Sequence, residues 1–224
     1  MEPIIIYEDN HLLAINKPAG WLVQGDKTGD TTLTDWGKAY LKEKYQKPGA
    51  VFLHPVHRID RPVSGAVLFA RTDKALGRLT EMFRTKSIQK EYWALVEKAP
   101  YVPQATLKHY LVKDEARNKV TAYESPKNDA KEAVLDYKIA KNGKKGVMLH
   151  VHPVTGRPHQ IRVQLAKIGA IILGDVKYGA AEPLPDASIA LHCRSMSFMH
   201  PVQKIPVTVS ADYPAVFAPL HQPV

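Results

Sequence analysis

The residues best suited to chemistry lie in His57-Arg58-Ile59-Asp60-Arg61-Pro62-Val63-Ser64-Gly65, where one carboxylate, Asp60, stands between two arginines. Pro62 has a fixed φ and biases Arg61 towards extended backbone, so the segment is expected to be a stiff, non-helical loop. Gly65 lets the backbone approach a neighbour closely just before Ala66-Val67-Leu68-Phe69-Ala70, an apolar run that reads as a buried strand. A carboxylate held at the mouth of such a strand can serve as nucleophile or base, or can simply cap a turn. A second cluster lies in Thr155-Gly156-Arg157-Pro158-His159-Gln160-Ile161-Arg162. Pro158 suits the first turn of a helix, Ile161, Leu165 and Ile168 form an apolar face, and Gly169 is placed to end it. Arg157, His159 and Arg162 would then gather at the positive end of the helix dipole, where cations are disfavoured. A bound anion, either phosphate or carboxylate, is expected to compensate them, and Asp60 is an available carboxylate.

Other chemistries find less support. There is no phosphate-loop or dinucleotide fingerprint, no serine elbow and no cysteine in a nucleophile setting, so no cofactor is expected. His150 and His152 alternate along an expected strand without a third ligand in a defined pattern, so no metal site is expected. Glycoside hydrolysis usually needs two carboxylates, and neither Glu91 nor Asp175 is singled out by its setting. The single cysteine, Cys193, excludes an intrachain disulfide and a cysteine-rich zinc site. Among 224 residues, 31 are Lys or Arg and 22 Asp or Glu, a formal charge of +9 that points to a polyanionic partner, nucleic acid before an anionic membrane surface. Arg71, Lys74, Arg78, Arg84, Lys86 and Lys90 crowd one region, as a phosphate-tracking surface or as a solvated helix face. The start of the chain lacks a signal-peptide pattern and no apolar run is long enough to span a bilayer, so a cytoplasmic location is expected.

The elements that must position these residues are read from periodicity. Ile4 to Tyr7 and Leu12 to Ile15 read as strands joined by Glu8-Asp9-Asn10, with Lys17 in a turn at the second strand's end. Thr32-Leu33-Thr34-Asp35 is a capping box opening a helix with Leu33, Trp36, Tyr40 and Leu41 on one face. Thr72-Asp73 opens a second helix bearing Leu76, Leu79 and Phe83. Glu91 to Val96, Thr106 to Val112, Ala133 to Ile139 and Gly146 to Val151 read as strands, with Asn142-Gly143 as a hairpin turn. Lys113 to Asn128 reads as a polar loop. The tail reads as further strands around Ile171 to Leu173, Ala190 to Cys193, Met196 to Met199 and Ile205 to Val209, with His192 and His200 as structural histidines.

Taken together, Lys17-Pro18-Ala19-Gly20, the Asp60 loop, Lys90-Glu91-Tyr92, the Arg162 segment, Gly174-Asp175-Val176-Lys177-Tyr178-Gly179 and Leu191 through Pro201 resemble the RluA-type pseudouridine synthases, in order and over nearly the whole chain. Ile59 replaces a usual leucine, Val63 a usual threonine, and Gln164 stands where histidine is common. Arg61-Pro62 looks more like the TruC-like tRNA group. The resemblance implies an α+β fold with a mixed, largely antiparallel sheet and a central basic cleft, in one catalytic domain over 1–224 without an N-terminal S4 domain. It implies isomerisation of a specific uridine to pseudouridine in tRNA or large-subunit rRNA, by a cytoplasmic monomer needing no cofactor or metal. Asp60, Tyr92 and Arg162 would be catalytic: Asp60 as the carboxylate at the ribose, Tyr92 stacked on the base, Arg162 the cation that keeps Asp60 ionised. Arg58, Lys17, Arg61, Arg157, His159 and Lys90 would contact RNA, Arg58 filling the space left by a flipped-out uridine. The same charge and fold also suit a non-catalytic RNA-binding protein or RNA chaperone, and a flipped base beside a carboxylate suits a nucleobase glycosylase.

Overall fold

Local signals place most of the elements. The computed structural model describes residues 2–25, 28–143 and 146–218. In chain order these form β1 (Ile4–Glu8), β2 (Leu12–Lys17), α1 (Leu33–Lys44), β3 (His54–Pro55), β4 (Ser64–Ala70), α2 (Asp73–Arg84), β5 (Gln89–Val96) and β6 (Gln104–Asp114). There follow β7 (Lys119–Tyr123), β8 (Lys131–Gly143), β9 (Gly146–Pro153), α3 (Gln160–Lys167), β10 (Leu191–Met199) and β11 (Pro206–Ser210). The architecture is α+β, and the chain divides into two compact units, Met1–Gln89 with Cys193–Asp212, and Lys90–His192 with Tyr213–Val224.

In the first unit the strands run in the order β1-β2-β4-β10, with β3 on β4 and β11 on β10. β1–β2, β2–β4, β3–β4 and β10–β11 are antiparallel. Every residue of β4 is buried, as its unbroken apolar run requires. Gly65, at φ +117, is where the backbone needs glycine: a Cβ there would lie 2.3 Å from the Cys193 carbonyl oxygen and 2.5 Å from its nitrogen. The close approach expected of this glycine is therefore made to β10. Thr32 and Asp35 form a reciprocal capping box at the start of α1, and Thr72 caps α2 through the Ala75 N–H. His200 is fully buried; its Nδ1 accepts from the Val202 and Gln203 N–H groups, so Nε2 carries the proton donated to Asp9. It is the structural histidine expected.

Beneath this unit's edge, Glu8 accepts hydrogen bonds from Tyr40 (2.8 Å), Tyr45 (2.6 Å) and Lys44 (2.7 Å), and Arg71 lies 3.1 Å away. The arrangement fastens α1 to β1.

In the second unit the order is β5-β9-β8-β6-β7, antiparallel throughout. Leu111, Val120, Ala122, Ala133 and Val163 form a core on which Tyr178 packs. Trp93 of β5 packs against His150, Tyr213 and Phe217, holding the segment at residues 213–217.

Several expectations need correction. Lys113 to Asn128 is largely a hairpin, because β7 pairs with β6 from Tyr110↔Tyr123 to Asp114↔Lys119, and Asn118 takes positive φ in its turn. The third helix begins at Gln160, two residues after Pro158, because His159 sits in the left-handed region at φ 51 as its N-cap. Ile171 to Leu173 makes a single bridge, Val96↔Ile172, in place of a strand, and the two expected strands between Ala190 and Met199 are one. Asn142 and Gly143, expected as a hairpin turn, are instead the last residues of β8, paired with Val147 and Gly146, and residues 144–145 lie outside the described residues.

Burial alone would raise the pKa of Glu8, but hydrogen bonds from Lys44, Tyr45 and Tyr40 outweigh it and hold the carboxyl down to about 2. Its folded pKa is below its unfolded value, so its stabilisation is complete above pH 4.5 and is lost as pH falls towards about 2. We expect Glu8→Gln to lower stability at neutral pH by about 2 kcal/mol and to flatten the acid limb of a urea-denaturation series. An unchanged acid limb would refute the role.

Candidate active site

In the first unit the Asp60 loop is built as a turn and tied down from one side. The Val63 N–H donates to the Asp60 carbonyl at 3.0 Å, closing the turn that contains Pro62. The Arg61 carbonyl accepts from the Gly20 N–H at 2.8 Å and from the Lys17 ammonium at 3.2 Å. The same ammonium donates to the carbonyls of Pro18 (3.0 Å) and Trp21 (2.8 Å). Lys17 is completely buried, which a lysine accepts only when its charge is well coordinated. Burial pushes its pKa down to about 7, the Asp60 carboxylate pulls it upward and Arg61 presses it further down. Expected among the RNA contacts, Lys17 is instead buried on three carbonyls and organises the loop that carries Asp60.

The two arginines around Asp60 differ. Arg61 turns its Nε to the Gly20 carbonyl at 2.9 Å and its Nη2 to Asp30 at 2.9 Å, so it braces the loop as its carbonyl does. Arg58 is exposed and has no hydrogen bond or ion pair among the described residues. His57, at the loop's other end, accepts the Leu68 N–H on Nε2 at 3.0 Å and stacks on Phe83.

In the second unit Tyr92 is buried on β5 opposite Val151 of β9. Lys90 lies two residues earlier on the same strand, its Nζ 4.0 Å from where a Gly156 Cβ would stand. Arg162 occupies the first turn of α3, and its Nε and Nη2 donate to the two oxygens of Asp175 at 2.7 and 2.8 Å. Both side chains are buried, at 6 % and 1 % exposure, so this bidentate pair is shielded from solvent. It supplies a carboxylate of the kind that a cation at a helix start requires. The sequence did not single out Asp175 for this role. The available signal was its position between Gly174 and Gly179, both at positive φ, in a tight turn of Asp175-Val176-Lys177-Tyr178. At Gly174 a Cβ would meet the Ser188 carbonyl oxygen at 2.8 Å, so the turn is closely packed.

Tyr178 completes this group. The Arg162 guanidinium lies 5.1 Å from its ring centre, its hydroxyl receives the Val120 N–H at 2.9 Å, and His159 Nδ1 is 2.7 Å from that hydroxyl. His159 is therefore engaged inside the unit. Arg157, before the helix, anchors its Nε on the Glu132 carbonyl at 3.0 Å. No group of three or more metal-ligating side chains occurs among the described residues.

Residues 11–167 match the family described as RNA pseudouridylate synthase. The chain belongs to the RNA pseudouridylate synthase family. It is 31% identical over 222 residues to a ribosomal large subunit pseudouridine synthase C of Buchnera aphidicola, covering 96% of this chain and 68% of that one. It is 34% identical over 216 residues to the Rickettsia prowazekii protein of the same name, covering 95% and 69%. A ribosomal large subunit pseudouridine synthase D of Xylella fastidiosa is 33% identical over 228 residues, covering 94% and 66%. The chain thus spans about two thirds of the length of these relatives. Human RNA Pseudouridylate Synthase Domain Containing 4 superposes with a TM-score of 0.79 at 24% identity, covering 96% of this chain and 90% of that one. Its counterpart Domain Containing 1 gives 0.76 at 21%, covering 100% and 91%. The expected fold and RNA pseudouridine synthase activity are those of this family.

Lys17→Met keeps the length of the stem but leaves three carbonyls without their shared donor, and is expected to cost about 3 kcal/mol in urea unfolding together with most of the activity. Wild-type stability in that variant would remove Lys17 from its role. Asp175→Asn strips the charge partner from a buried arginine and is expected to cost about 3 kcal/mol by the same measurement.

Proposed function

We propose that this pseudouridine synthase acts on a single flipped-out uridine of a structured RNA, with Asp60 as its catalytic carboxylate. In the reaction the N1–C1′ bond is cleaved, the base turns, and a C5–C1′ bond forms, with no redox change and no energy source. Asp60 acts at the ribose, either by adding to C1′ or by abstracting a proton to give a glycal. Arg162 is the catalytic cation of this reading, and Asp175 fixes the plane in which its guanidinium is presented. Tyr92 stacks on the base and assists proton transfer at C5. Arg58 takes the space the uridine leaves in the RNA, and Lys90, Arg157 and His159 border the bound strand.

The observation that carries this reading is the fastening of the Asp60 turn by a fully buried lysine, within a chain that matches the synthase family across that segment. A protein that only bound RNA would gain nothing from an acidic residue so held, because a carboxylate repels phosphate. The exposed, unpartnered guanidinium of Arg58 beside it supports an insertion role. A glycosylase using the same groups would release free base, whereas isomerisation leaves the RNA mass unchanged.

The names of the bacterial relatives favour large-subunit rRNA as the substrate. A tRNA target is the second reading, favoured by Arg61-Pro62. Among the described residues no helix is long and apolar enough to cross a membrane, and we place the enzyme, as a monomer, in the cytoplasm with its RNA. Mapping pseudouridines in rRNA and tRNA from a strain lacking the gene identifies the target by the site that disappears.

Asp60→Ala is expected to abolish pseudouridine formation while RNA affinity stays within about threefold, because the lost group makes no favourable phosphate contact. Undiminished turnover would overturn the assignment.

A further inference from the structure

The second unit contains a cavity that the proposed chemistry does not use. It measures about 630 Å³ and lies between the β6–β7 hairpin, the turn at residues 129–131 and Arg157-Pro158. It is lined by Leu111, Val112, Val120 and Ala130, with Lys131 and Arg157 among its charged members. Arg157 is already oriented, since its Nε is spent on the Glu132 carbonyl and its Nη groups have no partner among the described residues. Lys131 is exposed and likewise has none. Of the two acids in the wall, Glu115 is held by Lys113 at 2.6 Å, and Asp129 is left to accept from the donor edge of a base. An apolar wall, two unpaired cations of which one is pre-oriented, and a free acceptor match the three parts of an unstacked nucleotide.

We propose that this cavity is a subsite for one unpaired nucleotide of the substrate RNA, distinct from the uridine that is isomerised, and that it contributes to the choice of target. The proposal rests on the RNA-isomerase reading above. The base lies against the apolar lining at Leu111, Val120 and Ala130, and its phosphate meets Arg157 and Lys131. The cavity is coupled to the catalytic group within the same unit: the N–H of Val120, in its wall, donates to the hydroxyl of Tyr178, whose ring carries Arg162. The size also fits, since nucleotide-sized ligands fill cavities of about 300–1,000 Å³.

The test uses the full chain and the RNA that the wild-type protein modifies, prepared from a strain lacking the gene. Ala130→Phe fills the cavity without changing charge, and Lys131→Met removes one rim cation from an exposed position. Both are expected to raise the half-saturating RNA concentration about tenfold while the maximal rate changes less than about twofold. A benzoylphenylalanine introduced at Glu115, an exposed lining position, is expected to crosslink to one nucleotide at a fixed distance in sequence from the modified uridine. Folded variants with wild-type half-saturation, or crosslinks dispersed along the RNA, overturn the subsite and leave the isomerase reading standing. If wild-type protein forms no pseudouridine in any RNA, both readings fall together. Should Ala130→Phe not fold, as judged by thermal melting, Lys131→Met and the crosslink decide.

Discussion

The turn that carries Asp60 depends on one buried ammonium. Lys17 has no access to solvent, and its charge is balanced by the carbonyls of Pro18, Trp21 and Arg61. The Arg61 carbonyl is the hinge of that arrangement, because it also takes the Gly20 N–H and belongs to the turn that begins at Asp60. Three acceptors on one cation convert two chain segments, far apart in sequence, into a single rigid piece. Carbonyl dipoles suit this purpose better than a carboxylate would, since they hold the lysine without neutralising the positive field around Asp60.

The second unit meets the same problem with a different device. Arg162 stands in the first turn of a helix, against the dipole, and a bidentate buried carboxylate offsets that cost. Buried ion pairs seldom stabilise a protein more than well-packed hydrophobic groups of similar volume would, so this one is better understood as a means of orientation. The two bonds to Asp175 fix the guanidinium plane, and the Tyr178 ring covers one side of it. A lysine at this position could be neither oriented nor covered in this way.

Local order was the most legible part of the sequence. The capping box at Thr32–Asp35, the cap at Thr72, the buried run of β4 and the close approach at Gly65 all follow from side chains within a few residues of one another. Where the reading failed, a distant contact decided. Lys17 read as a turn lysine that contacts RNA because nothing near it in sequence shows that the Arg61 carbonyl will cover it. Pro158 invited a helix start that the left-handed His159 postpones, and the hydroxyl near the His159 ring belongs to Tyr178, 19 residues later. The β6–β7 hairpin was hidden by polar composition, although Val120 and Ala122 alternate with polar neighbours as an edge strand should. Asp175 was in view as a residue, but its partner across 13 positions was not.

The Lys17 knot also couples activity to folding. The turn that carries the proposed catalytic Asp60 is closed by the Asp60–Val63 bond and fastened through the Arg61 carbonyl, so it acquires its shape when the strand ending at Lys17 and the segment at Arg61 have come together. A chain still assembling this unit holds a flexible acidic loop and no organised reaction centre. Premature encounters with RNA are then unproductive, and every active molecule is one whose first unit has completed its fold.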